Sequence, residues 1–305
     1  MAVTDGPYRS DMPFTRIPMA PEMRWMDGRG AGPPELSGTG HFLTGWEDQI
    51  WILHAMWEDP QIPHAITYAE ADQILSDFGE RPRIVTEPDE LVSADLFSGE
   101  VQFGFDTGGG WGLTVPPGGR LIRLTWRDYM DRNGIVPDTS IVPGSRWLGW
   151  DFRTNIEPPG EGSLDLAQLI TLERILLDHE SRRDHGTTST IYAWFSYFAP
   201  IESLRIEPDG IPDVEGQLFY GPLDELTSFA VAIECAPNNI WPEDQNWFVT
   251  TDADAWGTLV QGPAGLIERL RASSTDVEGL HDLPLLEVHE TFDSTFTPHT
   301  PPAAQ

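Results

Sequence analysis

The chain has 305 residues, of which 49 are Asp or Glu, and its 18 basic residues are all arginine, which gives a formal net charge of -31. A surface this acidic repels nucleic acid and anionic membranes, so we expect neither as a partner. Hydrophobic residues make up 39% of the sequence and include 12 Trp and 14 Phe. That content is sufficient for a buried core and argues against global disorder.

The charge is uneven along the chain. Residues 1–100 hold 18 acids and 6 arginines, residues 206–305 hold 18 acids and 2 arginines, and residues 101–205 hold 13 acids and 10 arginines. This pattern predicts two acidic lobes around a nearly neutral centre. Two explanations stay open at this point: the acids meet a basic partner, or they adapt the surface to a saline or arginine-favouring host.

The chain has one cysteine, Cys235, so an intramolecular disulfide is impossible. It ends an apolar run with no basic neighbour, which predicts a buried, unreactive thiol in a core strand. The first residues have neither the basic nor the apolar region of a secretory signal. We therefore expect a cytoplasmic protein.

The first half of the chain contains three predicted ordered elements. Residues 46–57 are apolar on most sides, which predicts a buried helix. A second helix is expected from Tyr68 to Phe78, with Thr67 and Glu70 forming a capping box. Alternating apolar residues on either side of a glycine run predict a hairpin over residues 101–115.

The second half of the chain is predicted to contain helices mixed with short strands. Helices are predicted at 125–134, at 163–183 with Ser163 as the N-cap, and at 265–270. Strands are predicted at 191–198, 217–220, 228–235, 248–251 and 258–260, the last two paired with each other. Such irregular mixing predicts an α+β fold with mostly antiparallel strands in one or two layers of sheet.

Domain boundaries are weakly marked. We expect a Pro/Gly-rich arm at 1–40 that packs on the body, an N-terminal part at 41–160, a C-terminal part at 161–291 and a flexible tail at 292–305. A single continuous domain fits the sequence equally well.

The sequence contains fragments of known catalytic and metal-binding motifs, but none has the complete set of residues at the required spacing. Asp106-Thr107-Gly108 resembles half of an aspartic-protease site, but a second Asp-Thr/Ser-Gly is missing. His179 and His185 lie six residues apart, whereas a zinc-binding helix needs histidines four apart. Since the chain has no lysine, Walker-type nucleotide binding and Schiff-base chemistry are excluded. We expect no catalytic motif, no metal and no cofactor.

The segment from Trp241 to Leu280 is the most distinctive. It places Trp247, Asp252, Asp254 and Trp256 close together, and these four are the candidate binding residues. The segment resembles uncharacterised bacterial proteins of the toxin–immunity type, through Trp247, Asp252 or Asp254, Thr258, Gly262, Leu266 and Glu278. A purely structural interpretation is also open: two strands, an aspartate turn and a packing helix, with both tryptophans in the core.

Two functional classes follow. The resemblance and the charge favour a non-enzymatic binding protein that neutralises a basic toxin or another cationic protein, because acidic surfaces accelerate association with cationic partners. The alternative is a hydrolase that uses Asp or Glu carboxylates, for which histidines such as His41, His54 or His185 should lie among acids. A third interpretation assigns the charge to the host alone.

Overall fold

A computed structural model describes residues 13–17, 22–26, 43, 45–62, 65–77, 121–136, 143–144, 152–183, 189–195, 217–233, 235–252, 254–275 and 290–292. The strands are β1 (Thr15–Ile17), β2 (Asp48–Leu53), β3 (Met56–Glu58), β4 (Ile122–Leu124), β5 (Ile156–Glu157), β6 (Thr190–Phe195), β7 (Gln217–Pro222), β8 (Asn239–Pro242), β9 (Phe248–Thr250), β10 (Gly257–Gly262) and β11 (Glu290–Phe292). The α-helices are α1 (Tyr68–Asp77), α2 (Trp126–Asn133), α3 (Leu166–Arg183), α4 (Leu226–Ile233) and α5 (Ala264–Thr275). Short 3-10 turns span Arg24–Met26 and Leu223–Glu225.

Two antiparallel sheets organise the described residues. The larger has eight strands in the order β1-β7-β6-β8-β9-β10-β2-β11, and the smaller has three in the order β4-β3-β5. Every strand pair in both sheets is antiparallel. The α+β prediction is therefore confirmed. No helix in the described part of the chain has the length and apolar character needed to cross a membrane.

Helices α3, α4 and α5 cover one face of the large sheet. Alternate strand residues such as Ile50 and Ile52 of β2 face this layer and join Leu172, Phe229 and Leu266 in the main core. At the sheet edge, Phe14 stacks on Phe229 with ring centroids 4.3 Å apart. A side chain at position 221 would collide with the Phe14 ring, so Gly221 leaves the space that the ring occupies.

The opposite face of the large sheet is covered in two halves. Trp51 and Leu53 of β2 pack with Trp126 of α2 and Phe152, beneath the small sheet. Further along the same face, Trp241 and Phe248 pack with Met23, Trp25, Met26, Leu43 and Trp46. The strands of the large sheet are therefore buried on both faces over much of their length.

The predicted helix at residues 46–57 is wrong, since the segment forms β2, a bend and β3. The cause is burial on both faces: Ile50 and Ile52 enter one core, while Trp51 and Leu53 enter another. A strand covered on both sides has no polar alternation, so its pattern cannot be distinguished from that of a buried helix.

The predicted strand at 228–235 is also wrong, because residues Leu226–Ile233 form helix α4. Phe229, Ala230 and Ile233 are buried at helical spacing, whereas Val231 is 48% exposed. Cys235 follows the helix and is buried, and burial raises the pKa of its thiol to about 12. The predicted unreactive thiol fits this position, although the residue lies in the segment after a helix and not in a strand.

Several local predictions are confirmed. The capping box of α1 forms as expected: Glu70 N–H donates to Thr67 Oγ1 at 3.1 Å, and Thr67 N–H donates to Glu70 Oε2 at 2.9 Å. Strands β6, β7, β9 and β10 and helices α2 and α5 lie where they were predicted. The cap of α3 was misplaced, since the carboxylate of Asp165, and not Ser163, accepts from Gln168 N–H at 2.7 Å.

The large sheet takes strands from both sides of residue 160. Strand β2 of the N-terminal half pairs with β10 and β11 of the C-terminal half. The predicted hairpin at 101–115 and the tail beyond Phe292 lie outside the described residues.

Candidate functional site

The four candidate binding residues lie in two separate places in the fold. Trp247 contacts the end of α3, while Asp252, Asp254 and Trp256 lie in the connection from β9 to β10. Trp247 and Asp252 are fully buried and Trp256 is 1% exposed, so of the four only Asp254 is exposed. A partner that meets this surface can therefore touch Asp254 directly, whereas the other three act through the structure around them.

The first network, which we call the Glu180 network, joins α3 to the loop between β8 and β9. The buried carboxylate of Glu180 accepts from Trp247 Nε1 at 2.8 Å, from Arg183 at 3.0 Å and from Ser189 Oγ at 3.1 Å. Arg183 also pairs with Asp244 at 2.5 Å. A buried carboxylate with three donors is fully compensated, so the network fixes the loop against the helix.

His179 lies beside Glu180 and is 5% exposed. Arg269 of α5 donates to its Nδ1 at 2.5 Å, and the Asn246 side-chain amide lies 3.2 Å from its Nε2. Since arginine is only a donor, Nδ1 is the acceptor and the ring is neutral, with its proton on Nε2; that proton needs an acceptor, so the Asn246 amide must present its oxygen, and not Nδ2, to the ring. Burial lowers the pKa of His179, and the charges of Arg269 and Arg183 lower it further, against the opposing effect of Glu180.

Residues of the distinctive segment have clear packing partners. A Cβ on Gly262 would lie 3.0 Å from Trp247 Cβ, so the glycine leaves room for the tryptophan. Leu266 enters the main core with Trp247. Asp252 Oδ1 accepts from the N–H of Asp254 at 3.0 Å, which forms the predicted aspartate turn. Every one of these residues has an intramolecular role.

The second network, the His54 relay, runs through four groups at the junction of the two sheets. His54 Nδ1 lies 2.5 Å from the carbonyl oxygen of Gly160, and its Nε2 lies 3.0 Å from Thr258 Oγ1. Thr258 Oγ1 lies 2.7 Å from Thr251 Oγ1. Because a carbonyl only accepts, Nδ1 carries the proton, and the donors run from Thr251 to Thr258 to His54 to Gly160.

The relay is enclosed, with His54 1% exposed and Thr258 fully buried. Burial lowers the pKa of His54 to about 4, an effect that the Gly160 carbonyl opposes and the nearby Arg123 charge reinforces. A neutral imidazole that accepts from a hydroxyl is the pairing that activates nucleophiles in enzymes. Because both side chains are buried, this pairing connects β2, β10 and the loop before α3.

Beside the relay, Glu161 and Asp254 bring two carboxylates together at the surface. The loops that carry them are joined by a hydrogen bond from Gly162 N–H to Ala255 O at 3.0 Å. Burial raises the pKa of Glu161 and the charge of Asp254 raises it further, while the nearby indole N–H of Trp256 opposes both. The carboxyl of Glu161, whose pKa is raised, therefore lies near the exposed carboxylate of Asp254.

Within the described ranges, no three His, Cys, Asp or Glu side chains are grouped so that they could hold a metal ion. His41, Asp106, His185 and Glu278 were named from the sequence and lie outside the described residues. Sequence reasoning missed the roles of Glu180, Arg269, Thr251 and Glu161. Glu180 and Arg269 have partners distant in the chain, 67 positions away at Trp247 and 90 at His179, and Thr251 bonds to Thr258 only because β9 and β10 pair.

Comparison with known proteins gives no relative for this chain. No family model matches it, and neither a curated protein nor a solved structure does.

Proposed function

We propose that the protein is a non-enzymatic acidic binding protein that neutralises a basic protein, in the manner of an immunity protein that inactivates a toxin. The observation that carries the proposal is the unbalanced charge of -31. Six arginines of the described residues already pair with carboxylates of the same chain: Arg123, Arg132, Arg182, Arg183, Arg269 and Arg271. With 18 arginines for 49 Asp and Glu, most carboxylates cannot pair within the chain, and a basic partner would supply the missing positive charge.

An acidic surface of this size favours a cationic partner in two ways. It raises the rate of encounter with positively charged proteins, and it disfavours acidic competitors through like-charge repulsion. Nuclease toxins suit this chemistry because their nucleic-acid grooves are basic. Both effects weaken as salt screens the charges, which supplies a signature for the test.

The experiment is affinity purification of the tagged protein from its native host at low salt, with identification of bound proteins by mass spectrometry. We expect one basic protein to co-purify in stoichiometric amount, and its affinity, measured with both components purified, to fall steeply as salt rises. Suppression of that partner's toxicity on co-expression would complete the support. Recovery of the protein alone, or of a partner without net positive charge, contradicts the proposal.

A second candidate function, an Asp/Glu hydrolase, is favoured by the Glu161–Asp254 pair. Acid–base catalysis uses carboxyls whose environments separate their pKa values, and burial raises that of Glu161 while Asp254 stays exposed. If this candidate is correct, hydrolysis of a chromogenic glycoside, ester or phosphoester falls about a hundredfold or more in Glu161→Gln. The matched control Glu157→Gln keeps full activity. Absence of any turnover across the panel, or full activity of Glu161→Gln, excludes it.

A further inference from the structure

An aromatic row crosses four strands of the large sheet on the face opposite the helices. Tyr192 of β6 lies opposite Tyr220 of β7 and opposite Trp241 of β8 in the strand register. The Tyr192 ring lies 5.0 Å from that of Tyr220 and is stacked on Trp241 at 5.4 Å. Trp241 continues the row to Phe248 of β9 at 5.9 Å.

The row is covered at one end and open at the other. Trp25 packs on both Trp241 and Phe248, at 6.0 and 5.7 Å, and these two rings are completely buried. Tyr192 and Tyr220 are only half-buried. The sheet therefore presents two neighbouring tyrosine rings to solvent, on a rigid base of stacked aromatic side chains.

Two carboxylates border this open end. Tyr192 donates its hydroxyl to Glu22 Oε2 at 3.4 Å. Glu243 directly follows β8, and its backbone N–H bonds to Thr190 O at 3.2 Å, which holds it beside β6. Burial raises the pKa of Tyr192 to about 12, and the charges of Glu22 and Glu243 contribute to that rise, so the potential around the phenol is negative.

Aromatic faces next to carboxylates suit one ligand class, an organic cation. A guanidinium stacks on an aromatic ring and at the same time donates to a carboxylate in its own plane. We propose that Tyr192, Tyr220, Glu22 and Glu243 form a receiving site for an arginine side chain of the basic partner. This inference rests on the proposed function and names the place on the surface where that function acts.

The test uses fluorescein-labelled nona-arginine as the probe and measures its affinity for the full chain by anisotropy at low salt. We expect Tyr220→Leu and Glu243→Gln each to weaken binding about three- to tenfold, the range for one cation–aromatic or ion-pair contact. Tyr220→Phe keeps the ring and should bind like the wild type. The matched control Glu268→Gln removes the same charge from an exposed position on α5, on the helix side of the sheet, and should change affinity less than twofold.

The outcomes separate the two proposals. If Glu243→Gln and Glu268→Gln weaken binding equally and Tyr220→Leu has no effect, the peptide responds to net charge alone and the receiving site is refuted, while the basic-partner proposal stands. If the wild type fails to bind the peptide at low salt, both proposals fail. Melting curves identify any variant that loses its fold, and Glu243→Gln, at an exposed position, still tests the site if Tyr220→Leu is unstable.

Discussion

Replacing Trp247 with alanine is expected to lower the free energy of unfolding by about 3–5 kcal/mol, the range for removing a large aromatic side chain from a core. Trp247 is fully buried in the main core, lies against Gly262 and donates to Glu180 at 2.8 Å. The conservative Trp247→Phe keeps most of the packing but removes the donor, and should cost about 1–3 kcal/mol. Urea unfolding followed by far-UV circular dichroism measures both.

A double-mutant cycle isolates the hydrogen bond. Combining Trp247→Phe with Glu180→Ala, which removes the acceptor, should give a coupling energy of about 1–2 kcal/mol, because the two side chains share one charge-assisted bond. The surface variant Asp254→Asn is the control and should change stability by less than about 0.5 kcal/mol. If Trp247→Ala kept full stability and still abolished capture of a partner, Trp247 would be a contact residue and the burial described above would be wrong.

The elements that sequence predicted correctly are those with local signals. Helix α1 has a capping box within four residues, Thr67 to Glu70, and the helix at 126–133 has Thr125 as its cap and Gly134 at its end in the left-handed conformation. Strands β9 and β10 keep enough β-branched residues to be recognised. Such signals do not depend on the rest of the chain, so they can be detected without the fold.

The elements that sequence misassigned depend on what covers them. Strand β2 resembles a buried helix because the small sheet and the helices cover its two faces. Helix α4 resembles a strand because its exposed positions include the apolar Val231 and Ala232. No strand was predicted at β1, which spans only three residues and is held by Phe14 against Gly221. In each case tertiary contacts override the local pattern.

The candidate site shows the same division. In the described part of 241–280, the structural interpretation of two strands, an aspartate turn and a helix is found. The sequence could not show that Trp247 and His179 meet at one network, because α3 and the loop after β8 approach only in the fold. The likeness to immunity proteins stays a prediction, which the purification experiment addresses.

Acidification is expected to destabilise the protein through His54. In the folded chain the pKa of His54 is lowered to about 4, while in the unfolded chain it returns to about 6.5. Well above pH 6.5 the imidazole is neutral in both states, so its titration does not change the free energy of unfolding. As pH falls from 6.5 to 4, His54 becomes protonated in the unfolded chain but stays neutral in the folded chain. The free energy of unfolding therefore falls by about 3 kcal/mol over this window.

Other groups titrate in the same pH range, so the contribution of His54 has to be measured as a difference between the wild type and a variant without the imidazole. Burial lowers the pKa of His179 and acts in the same direction, whereas it raises the pKa of Glu161, Asp165 and Glu173, which acts in the opposite direction. The variant His54→Gln leaves these groups in place and keeps a donor and an acceptor in the relay. Its unfolding free energy should be lower than that of the wild type at pH 7.5, since two buried hydrogen bonds are disturbed.

The decisive quantity is how the gap between wild type and His54→Gln changes with pH. Because the variant has no imidazole to protonate, it lacks the loss of about 3 kcal/mol, and the gap should narrow or reverse between pH 6.5 and 4. Urea unfolding at half-unit steps of pH follows it. A constant gap would mean that His54 keeps an ordinary pKa in the folded protein, and therefore that the relay is open to water. That result would also return Thr258 and His54 to consideration as a hydroxyl nucleophile and its base, since water access is what the enclosed relay lacks for that chemistry.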